Sequence, residues 1–545
     1  MASASPSLIQ PVDSGQPVSS GDKWTFWTCW ICLIATAFGF VTRFSLLNEW
    51  GVQFGLNKVQ LGEIGGVGVW PFAVSIILFS LVIDKIGYGK ALGFAFCCHV
   101  AYGVIVICAP LMLAAKGASP ALVAAGQRKA YWMLYIGSLI FGLGNGTVEA
   151  VINPVVATMF PTQKTKWLNI LHAGWPGGLV LAGLMTIALG SADWRLKIGL
   201  IFLPAAVYGV MMLRAKFPVN ERVAAGGSYR GMLQEFGILA SIVVAALIVR
   251  QFGEVFGWGG GLQIGIGAAL VIAFGSYVRS AGRIILFVLM LIMLPLATTE
   301  IGTDGWITSL MEPVMTRAHL HPAWVLVYTS FIMLVLRFYA GAIVHRISPL
   351  GLLAVSAVVA ACGLFFLSAA TGIMILAAAT LYGFGKTFFW PTMLGVVSEQ
   401  CPKGGALTLN AVGGVGMLAV GVLGFPFIGL LQDTATSKHL KADEKALYSA
   451  VSVQKEGILG RYEAVDPEKA ALLPAADQKK ITDISENAQK GALATMAIFP
   501  CIMFVCYLLL ILYFKSKGGY QAEVLTGHAA NDGEFTGGVT GPVEA

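Results

Sequence analysis

The chain has 545 residues, of which 57% are hydrophobic and 12% are charged, with a net charge of +7. Soluble domains carry about a quarter charged residues, so this composition excludes a soluble protein. The Lys and Arg residues stand in short loops between apolar runs, which argues against nucleic-acid binding as the reason for the charge. The nine cysteines lie mostly in apolar runs, and the single CxxC, Cys29 and Cys32, has no partner pair, so neither a metal site nor a cofactor is expected.

Apolar runs long enough to cross a bilayer follow one another along most of the chain. In lipid such runs must be helices, because the backbone has to satisfy its own hydrogen bonds. Residues 1–23, rich in Ser, Pro and Gly, precede them as an expected disordered tail. We predict fourteen spans, near residues 26–48, 63–83, 91–114, 131–159, 169–190, 196–213, 233–250, 262–279, 284–311, 323–344, 350–369, 372–398, 405–431 and 491–514.

Basic residues mark one side of this topology. They follow every even-numbered span: Lys85, Lys90, Lys164, Lys166, Arg214, Lys216, Arg222, Arg230, Arg279, Arg283, Arg346, Lys403, Lys515 and Lys517. By the positive-inside rule this side is cytoplasmic, so we expect both termini, including the tail 515–545, in the cytoplasm and the spans in the cell (inner) membrane. The polar stretch 433–490 is then expected outside, as short amphipathic helices.

An internal repeat divides the chain. Phe141–Pro161 aligns without a gap with Tyr382–Pro402, and at the same offset Leu168-Asn169 aligns with Leu409-Asn410. We therefore predict an all-α membrane fold of two pseudo-symmetric six-helix halves, 24–214 and 283–514. A basic connector and two extra transmembrane helices, 215–282, separate the halves. Parallel repeats of this type are typical of transporters whose halves rock around a site near the membrane midplane.

The loop after the second span, Asp84–Lys90, resembles the signature loop of the major facilitator superfamily. It departs from the signature in one position, where Ser80 replaces the leading glycine. The resemblance implies the major-facilitator fold and a gating role for four residues that clamp helix ends across the interface of the halves in one state. These residues are Asp84, Lys85, Gly87 and Lys90.

Two further segments resemble the fucose–galactose–glucose:proton symporter family within that superfamily. One is Glu149 followed by Asn153-Pro154 in the fourth span and Leu168-Asn169 in the fifth; the other is Glu300–Ile307 at the start of the second half. The resemblance implies a secondary transporter that moves a sugar together with protons by alternating access. It assigns proton coupling to Glu149 and Glu300, and solute binding to Asn153, Asn169, Asp304 and Trp306. The first span departs from that family, since it carries Arg43 and no acidic residue at the expected depth.

The residues themselves support some of these roles. A carboxyl group at membrane depth is costly and is a functional candidate by default, so Glu149 is interpreted as a proton carrier or as the fixed partner of Arg43. Pro154 removes a backbone hydrogen bond and frees a carbonyl that a hydroxyl-rich solute could use, unless the kink serves packing alone. Glu300 and Asp304 are four residues apart and share one helical face.

Several side chains have two interpretations. Trp306 is expected either to stack on a sugar ring or to anchor the helix at the membrane interface. Arg43 and Lys386, one cation in each half, either bind an anionic solute together or neutralise Glu149 and Glu300. Arg337 is placed near the cytoplasmic end of its span. His172 is a proton relay or, more simply, a helix-packing histidine.

The sequence thus predicts a non-enzymatic transporter, monomeric, with a small-molecule solute and protons as its partners in a lipid bilayer. It predicts no catalytic residue, no cofactor, no metal and no nucleic acid. The alternatives are an organic-anion transporter that uses Arg43 and Lys386, and a non-transporting membrane sensor on the same scaffold.

Overall fold

The computed structural model describes residues 20–56, 58–115, 117–303, 323–370, 374–457 and 460–525. Within these residues thirteen helical stretches are long and apolar enough to cross a membrane. The one predicted span that is not among them is span 12, predicted near 372–398, which consists of two shorter helices, Met374–Lys386 and Phe389–Gln400, separated by residues 387–388. The predicted all-α membrane fold is therefore confirmed.

The first half contains spans 1 to 6, three of them interrupted by a short break. Their helices are Ser20–Phe54 (span 1), Lys58–Gly66 and Trp70–Ile86 (span 2), Tyr88–Cys108 extended by a 3-10 turn Ala109–Met112 (span 3), Pro120–Met159 (span 4), Lys164–His172 and Gly174–Leu189 (span 5), and Trp194–Gly199 and Phe202–Met212 (span 6). A short helix, Glu221–Ala224, lies in the connector, and the inserted spans 7 and 8 are Tyr229–Phe256 and Gly260–Val278.

The second half contains spans 9 to 14. The helices are Ile284–Ala297 with a π turn Thr298–Gly302 (span 9), Ala323–Ile347 (span 10), Pro349–Ala369 (span 11), the two helices of span 12 given above, and Ile498–Ser516 (span 14). Span 13 consists of four consecutive pieces: a 3-10 turn Pro402–Gly404, the helix Gly405–Ala419, a π turn Val420–Gly424 and the helix Phe425–Asp443. Pro295 precedes the first π turn and removes a helical hydrogen bond there, which explains the irregular backbone at this depth.

The two halves meet along three main pairs of spans. Span 2 packs against span 13, and span 5 packs against span 10 and against the second helix of span 12. The cavity described below lies between these contacts. Hydrogen bonds join the halves on the side that carries the Asp84–Lys90 loop, the connector and both described chain ends. We call this side the basic face, because the lysines and arginines between spans are concentrated there.

The inserted spans lie outside both halves. Span 7 packs on spans 9 and 13, whereas span 8 makes its main helix contact with span 7 alone. Val278 is the one fully buried residue of span 8, and its apolar side chains are otherwise turned outward. A predominantly apolar, exposed helix of this kind is typical of a lipid-facing position.

The face opposite the basic face carries a small folded unit. Span 13 runs on to Asp443, and the chain continues through the helix Lys445–Val451, the strands Ser452–Gly457 and Gly460–Val465, and the helices Pro467–Ala471 and Ala475–Met496. The strands pair antiparallel, with Val453 opposite Ala464. The sequence analysis expected helices only, because these strands are short and mainly polar and lack the apolar alternation that predicts a strand.

The C-terminal residues fold back onto the basic face. The Tyr520 hydroxyl donates a hydrogen bond of 2.7 Å to Glu399, and the Glu523 amide donates one of 2.7 Å to the Glu399 carbonyl. The Leu525 amide donates to Glu221 of the connector at 3.1 Å. The predicted tail, 515–545, thus begins with the end of span 14 and a hydrogen-bonded segment, 519–525.

Candidate functional site

A cavity with an empty volume of about 650 Å³ lies between the two halves. Its polar lining comes from Arg43, Asn145, Glu149, His172, Glu300 and Arg337, and its aromatic lining from Phe40, Phe72, Phe141, Trp175 and Trp390. Both halves therefore contribute charged groups to one cavity at membrane depth.

Span 4 brings Glu149 to this cavity because glycines allow it to approach its neighbours closely. A Cβ atom at Gly146 would lie 2.1 Å from the carbonyl oxygen of Phe72 in span 2. With span 4 held at this short distance, Asn145, Glu149 and Asn153, spaced by four, lie on one helical face. Asn145 and Glu149 line the cavity, and Asn153 lies one turn nearer the basic face.

Glu149 is buried and accepts a hydrogen bond of 3.3 Å from the Asn153 amide. Within the described residues it takes part in no ion pair, so the structure does not show the fixed pair with Arg43 that the sequence analysis considered. A carboxyl group in such surroundings stays available for protonation, which is the requirement for a proton carrier.

Glu300, unlike Glu149 within the described part of the chain, has a cationic partner. The Arg337 guanidinium donates to Glu300 at 2.9 Å, and the Trp390 amide donates to the other carboxylate oxygen at 2.9 Å. Arg337 further donates to the carbonyl oxygens of Thr387 at 2.8 Å and His172 at 2.7 Å. The expected position of Arg337 near the cytoplasmic end of its span was wrong: it lines the cavity, because span 10 crosses span 5 at this level.

A continuous series of polar contacts connects the two carboxyl groups. Starting from Glu300, it passes through Arg337 to the backbone of His172, whose ring nitrogen Nε2 lies 3.0 Å from Asn153 Oδ1. Asn153 in turn donates to Glu149. Since spans 9 and 10 belong to one half and spans 4 and 5 to the other, this series crosses the interface between the halves.

The two predicted cations lie in different surroundings. Arg43 lines the cavity, and its guanidinium occupies the space that a side chain at position 68 would need, 5.8 Å from the centre of the Phe141 ring. Lys386 is buried outside the lining, with its ammonium group 5.5 Å from the centre of the Tyr382 ring. The structure therefore does not bring Arg43 and Lys386 together at one solute position.

Asn169 lies at the seam between the halves and not in the cavity lining. Its amide donates to Thr392 of span 12 at 3.1 Å. Asn153 makes a similar contact, donating to Asn410 of span 13 at 3.2 Å, and Asn410 donates to the Ser80 hydroxyl at 2.9 Å. The two asparagines that the internal repeat aligns, Asn169 and Asn410, thus both hold the halves together on the basic-face side of the cavity.

The signature-like loop makes its main contact with the connector. Asp84 is buried and forms an ion pair of 2.5 Å with Arg222. Lys85 lies over the Tyr229 ring at 4.9 Å, Gly87 has the positive φ of 86° that the turn into span 3 requires, and Lys90 is exposed. The loop is therefore bound to the segment between the halves, and its gating role remains a prediction.

Asp304 and Trp306 lie outside the described residues. Arg337 and Asn145, on the other hand, belong to the cavity although the sequence analysis did not assign them to it. The sequence did indicate a cavity position for Asn145, because this polar residue stands four positions before Glu149 and therefore shares its helical face. For Arg337 the only signal was its charge inside an apolar run.

Comparison with known proteins identifies the family. The sequence model of the Major Facilitator Superfamily matches residues 29–426. The chain therefore belongs to this superfamily of transporters, and the family recognised from the signature loop is confirmed. No curated protein sequence shows significant similarity to the chain.

Solved structures share the fold at low sequence identity. The proton:xylose symporter XylE, bound to 6-bromo-6-deoxy-D-glucose, is similar with a TM-score of 0.56 and 13% identity over 94% of this chain and 99% of that one. FucP in the outward conformation gives a TM-score of 0.51 and 13% identity over 89% and 99% of the two chains. The human organic anion transporter TETRAN gives 0.55 and 11% identity over 90% and 100%. These similarities support the fold alone.

Proposed function

We propose that this chain is a proton-coupled symporter of a small polar solute, with sugars as the solute class. The observation that carries the proposal is the series of contacts from Glu149 to Glu300 through Asn153, His172 and Arg337. Glu149 carries the proton and lines the cavity. The rest of the series crosses the interface along which the halves rock.

In the proposed cycle, protonation removes the negative charge of Glu149 and weakens its attraction for the Asn153 amide, since hydrogen bonds to ionised groups are the stronger ones. Asn153 also bonds to Asn410 in the other half. The protonation state of Glu149 is thus linked to a bond that holds the basic face closed. With the basic face in the cytoplasm, the side that these bonds close is the cytoplasmic one, and both termini are cytoplasmic.

The test uses purified protein in proteoliposomes with an imposed proton gradient. Gradient-driven uptake of labelled D-galactose, D-glucose, L-fucose and D-xylose is measured for the wild type and for Glu149→Gln. The variant mimics the protonated carboxyl, so accumulation should be lost while exchange of solute without net proton movement survives. Glu254→Gln, at an exposed carboxyl on span 7, is the matched control and should leave both activities unchanged.

Three outcomes would contradict the proposal. Retained accumulation in Glu149→Gln would exclude this residue as the proton carrier. Loss of both activities, with stability restored by Arg43→Gln in the same chain, would show that Glu149 is the structural partner of Arg43. Ligand binding without flux in the wild type would favour a sensor.

Transport of an organic anion is the second candidate, and it is favoured by the cationic lining. Arg43 and Arg337 both face the cavity, so an anion could contact one arginine from each half. Lys386 has no part in this version, because it lies outside the lining. A thermal-shift screen with lactate, succinate and the four sugars separates the two candidates, since a ligand stabilises the protein that binds it. Arg43→Gln should abolish stabilisation by the carboxylates only.

A further inference from the structure

A second polar series lies behind the cavity wall, within the first half. His99 of span 3 is fully buried between Asn145 of span 4 and Tyr208 of span 6. Its ring nitrogen Nε2 lies 2.9 Å from Asn145 Oδ1, and Nδ1 lies 2.9 Å from the Tyr208 hydroxyl. Asn145 itself lines the cavity, one helical turn from Glu149.

The backbone is built for this contact. A Cβ atom at Gly144 would lie 2.7 Å from the Cβ of Cys98 and 3.2 Å from Cδ2 of His99. Spans 3 and 4 can therefore approach closely only because position 144 carries no side chain. This short distance lets the imidazole of His99 reach the side chain of the next residue, Asn145.

Elementary hydrogen-bond chemistry determines the protons in this series. The amide oxygen of Asn145 can only accept, so Nε2 of His99 must carry the hydrogen that it donates. A neutral imidazole with hydrogen on Nε2 has an acceptor at Nδ1, and the Tyr208 hydroxyl donates to it. A charged imidazole would be costly at this buried position. His99 is thus held as one tautomer, and it keeps the amide oxygen of Asn145 on its own side.

We infer that Asn145 is a specificity-determining residue that presents its amide NH₂ to the solute, and that His99 and Tyr208 position it. Within the described residues the Asn145 Nδ2 atom makes no hydrogen bond, and Asn145 lines the cavity. The Asn145 NH₂ group favours solutes that carry an acceptor oxygen (a hydroxyl, ether, carbonyl or carboxylate oxygen) at the level of Asn145, which is one helical turn from Glu149. The inference rests on the proposed function, because it assumes that the cavity binds the transported solute.

The first experiment tests the orientation without any solute. The protein is labelled with ¹⁵N-histidine in lipid nanodiscs, and the His99 signals are assigned by their loss in His99→Gln. We expect the nitrogen shifts of a neutral ring with hydrogen on Nε2. A ring with hydrogen on Nδ1 would mean that Asn145 donates to His99 and turns its oxygen to the cavity, which would overturn the inference even if transport is confirmed.

The second experiment measures Kd by calorimetry for the most tightly bound of the four sugars and two carboxylates named above. Asn145→Leu should weaken binding about tenfold, equivalent to roughly 1.4 kcal/mol, and His99→Phe should weaken it by a smaller factor. In the double variant, His99→Phe should cause no further loss, because His99 acts only through Asn145. Ser138→Ala, at a buried hydroxyl of span 4, is the control and should leave Kd unchanged.

The double variant separates positioning from a general structural role. Additive losses, or an unchanged Kd in Asn145→Leu, would overturn the inference while leaving the proposed function intact. If none of the six probes binds the wild type, the proposed function and the solute part of this inference both fail, and the tautomer measurement still decides the orientation of Asn145.

Discussion

The Arg337 guanidinium bonds to Glu300 of its own half at 2.9 Å and, through its Nη1 atom, to the His172 carbonyl of the other half at 2.7 Å. The Arg337 side chain thus pairs with a carboxylate of its own half and bonds to the opposite half at the same time. Any motion that separates span 5 from span 10 at this level has to break the bond to His172. The Glu300–Arg337 pair can remain intact during that motion, because both residues move with the second half.

Removal of Arg337 should destabilise the protein strongly. In Arg337→Gln the Glu300 carboxylate stays buried without its cation, a change that costs about 3–5 kcal/mol in proteins. The additional change Glu300→Gln should restore much of the loss, since it removes the orphaned charge. Thermal unfolding of the two variants measures the effect, and equal melting temperatures in the single and double variants would contradict the pairing.

Gly146→Ala should impair folding or packing of the first half. The added Cβ would meet the Phe72 carbonyl at 2.1 Å, and this backbone atom cannot move aside like a flexible side chain. Overpacking of this kind typically costs about 1–3 kcal/mol. Gly383→Ala is the matched control, because no atom outside its own helix backbone and chain neighbours lies within 4 Å of a Cβ there, and it should be neutral or slightly stabilising. Melting temperatures of the two purified variants decide between these outcomes.

The topology can be tested with single cysteines on the two faces. Lys479→Cys lies in the folded unit opposite the basic face, and Lys90→Cys and Gly518→Cys lie on the basic face. We expect a membrane-impermeant maleimide to label position 479 in intact cells and positions 90 and 518 only after permeabilisation. The reverse pattern would place the basic face outside and invert the transport cycle proposed above.

Removal of spans 7 and 8 should leave the site functional. Every lining residue of the cavity comes from one of the two halves. If residues 233–279 are replaced by a connector, we expect a lower yield because span 7 packs on spans 9 and 13. Solute affinity should nevertheless stay within about tenfold, or roughly 1.4 kcal/mol. Complete loss of binding in a folded, monodisperse protein would show that the pair shapes the site.

Loss of Glu399 should open the basic face. Its carboxylate accepts hydrogen bonds from the Thr165 backbone amide at 3.1 Å, the Thr165 hydroxyl at 2.6 Å and Tyr520 at 2.7 Å. Glu399→Ala removes all three and should shift the population toward states in which the seam is apart. Opening of the seam can be followed at the native cysteine Cys401, which is buried and lies two residues after Glu399. Its maleimide labelling should become faster than in the wild type, and an unchanged rate would show that the seam does not depend on these bonds.

The sequence predicted the spans well and the contacts between them only in part. Hydropathy finds a span because every residue of the run contributes to it, whereas the pairing of Arg337 with His172 depends on how two helices 165 positions apart cross. Glu149 could be assigned to the cavity since a buried carboxyl is costly anywhere in lipid. Asn169 could not be placed in the same way, because an amide at that depth serves a seam as well as a solute.

The hydrogen-bonded C-terminal segment, 519–525, offers a way to hold the protein in one conformational state. Tyr520 and Glu523 form hydrogen bonds with Glu399 in the second half. Leu525 forms one with Glu221, which makes an ion pair of 2.6 Å with Lys164 of the first half. The segment thus connects the second half to the first across the closed side, and we expect that its release is needed before the halves separate there. An antibody or fusion partner that binds the released segment, 519–525, would hold the transporter in states in which the basic face is open.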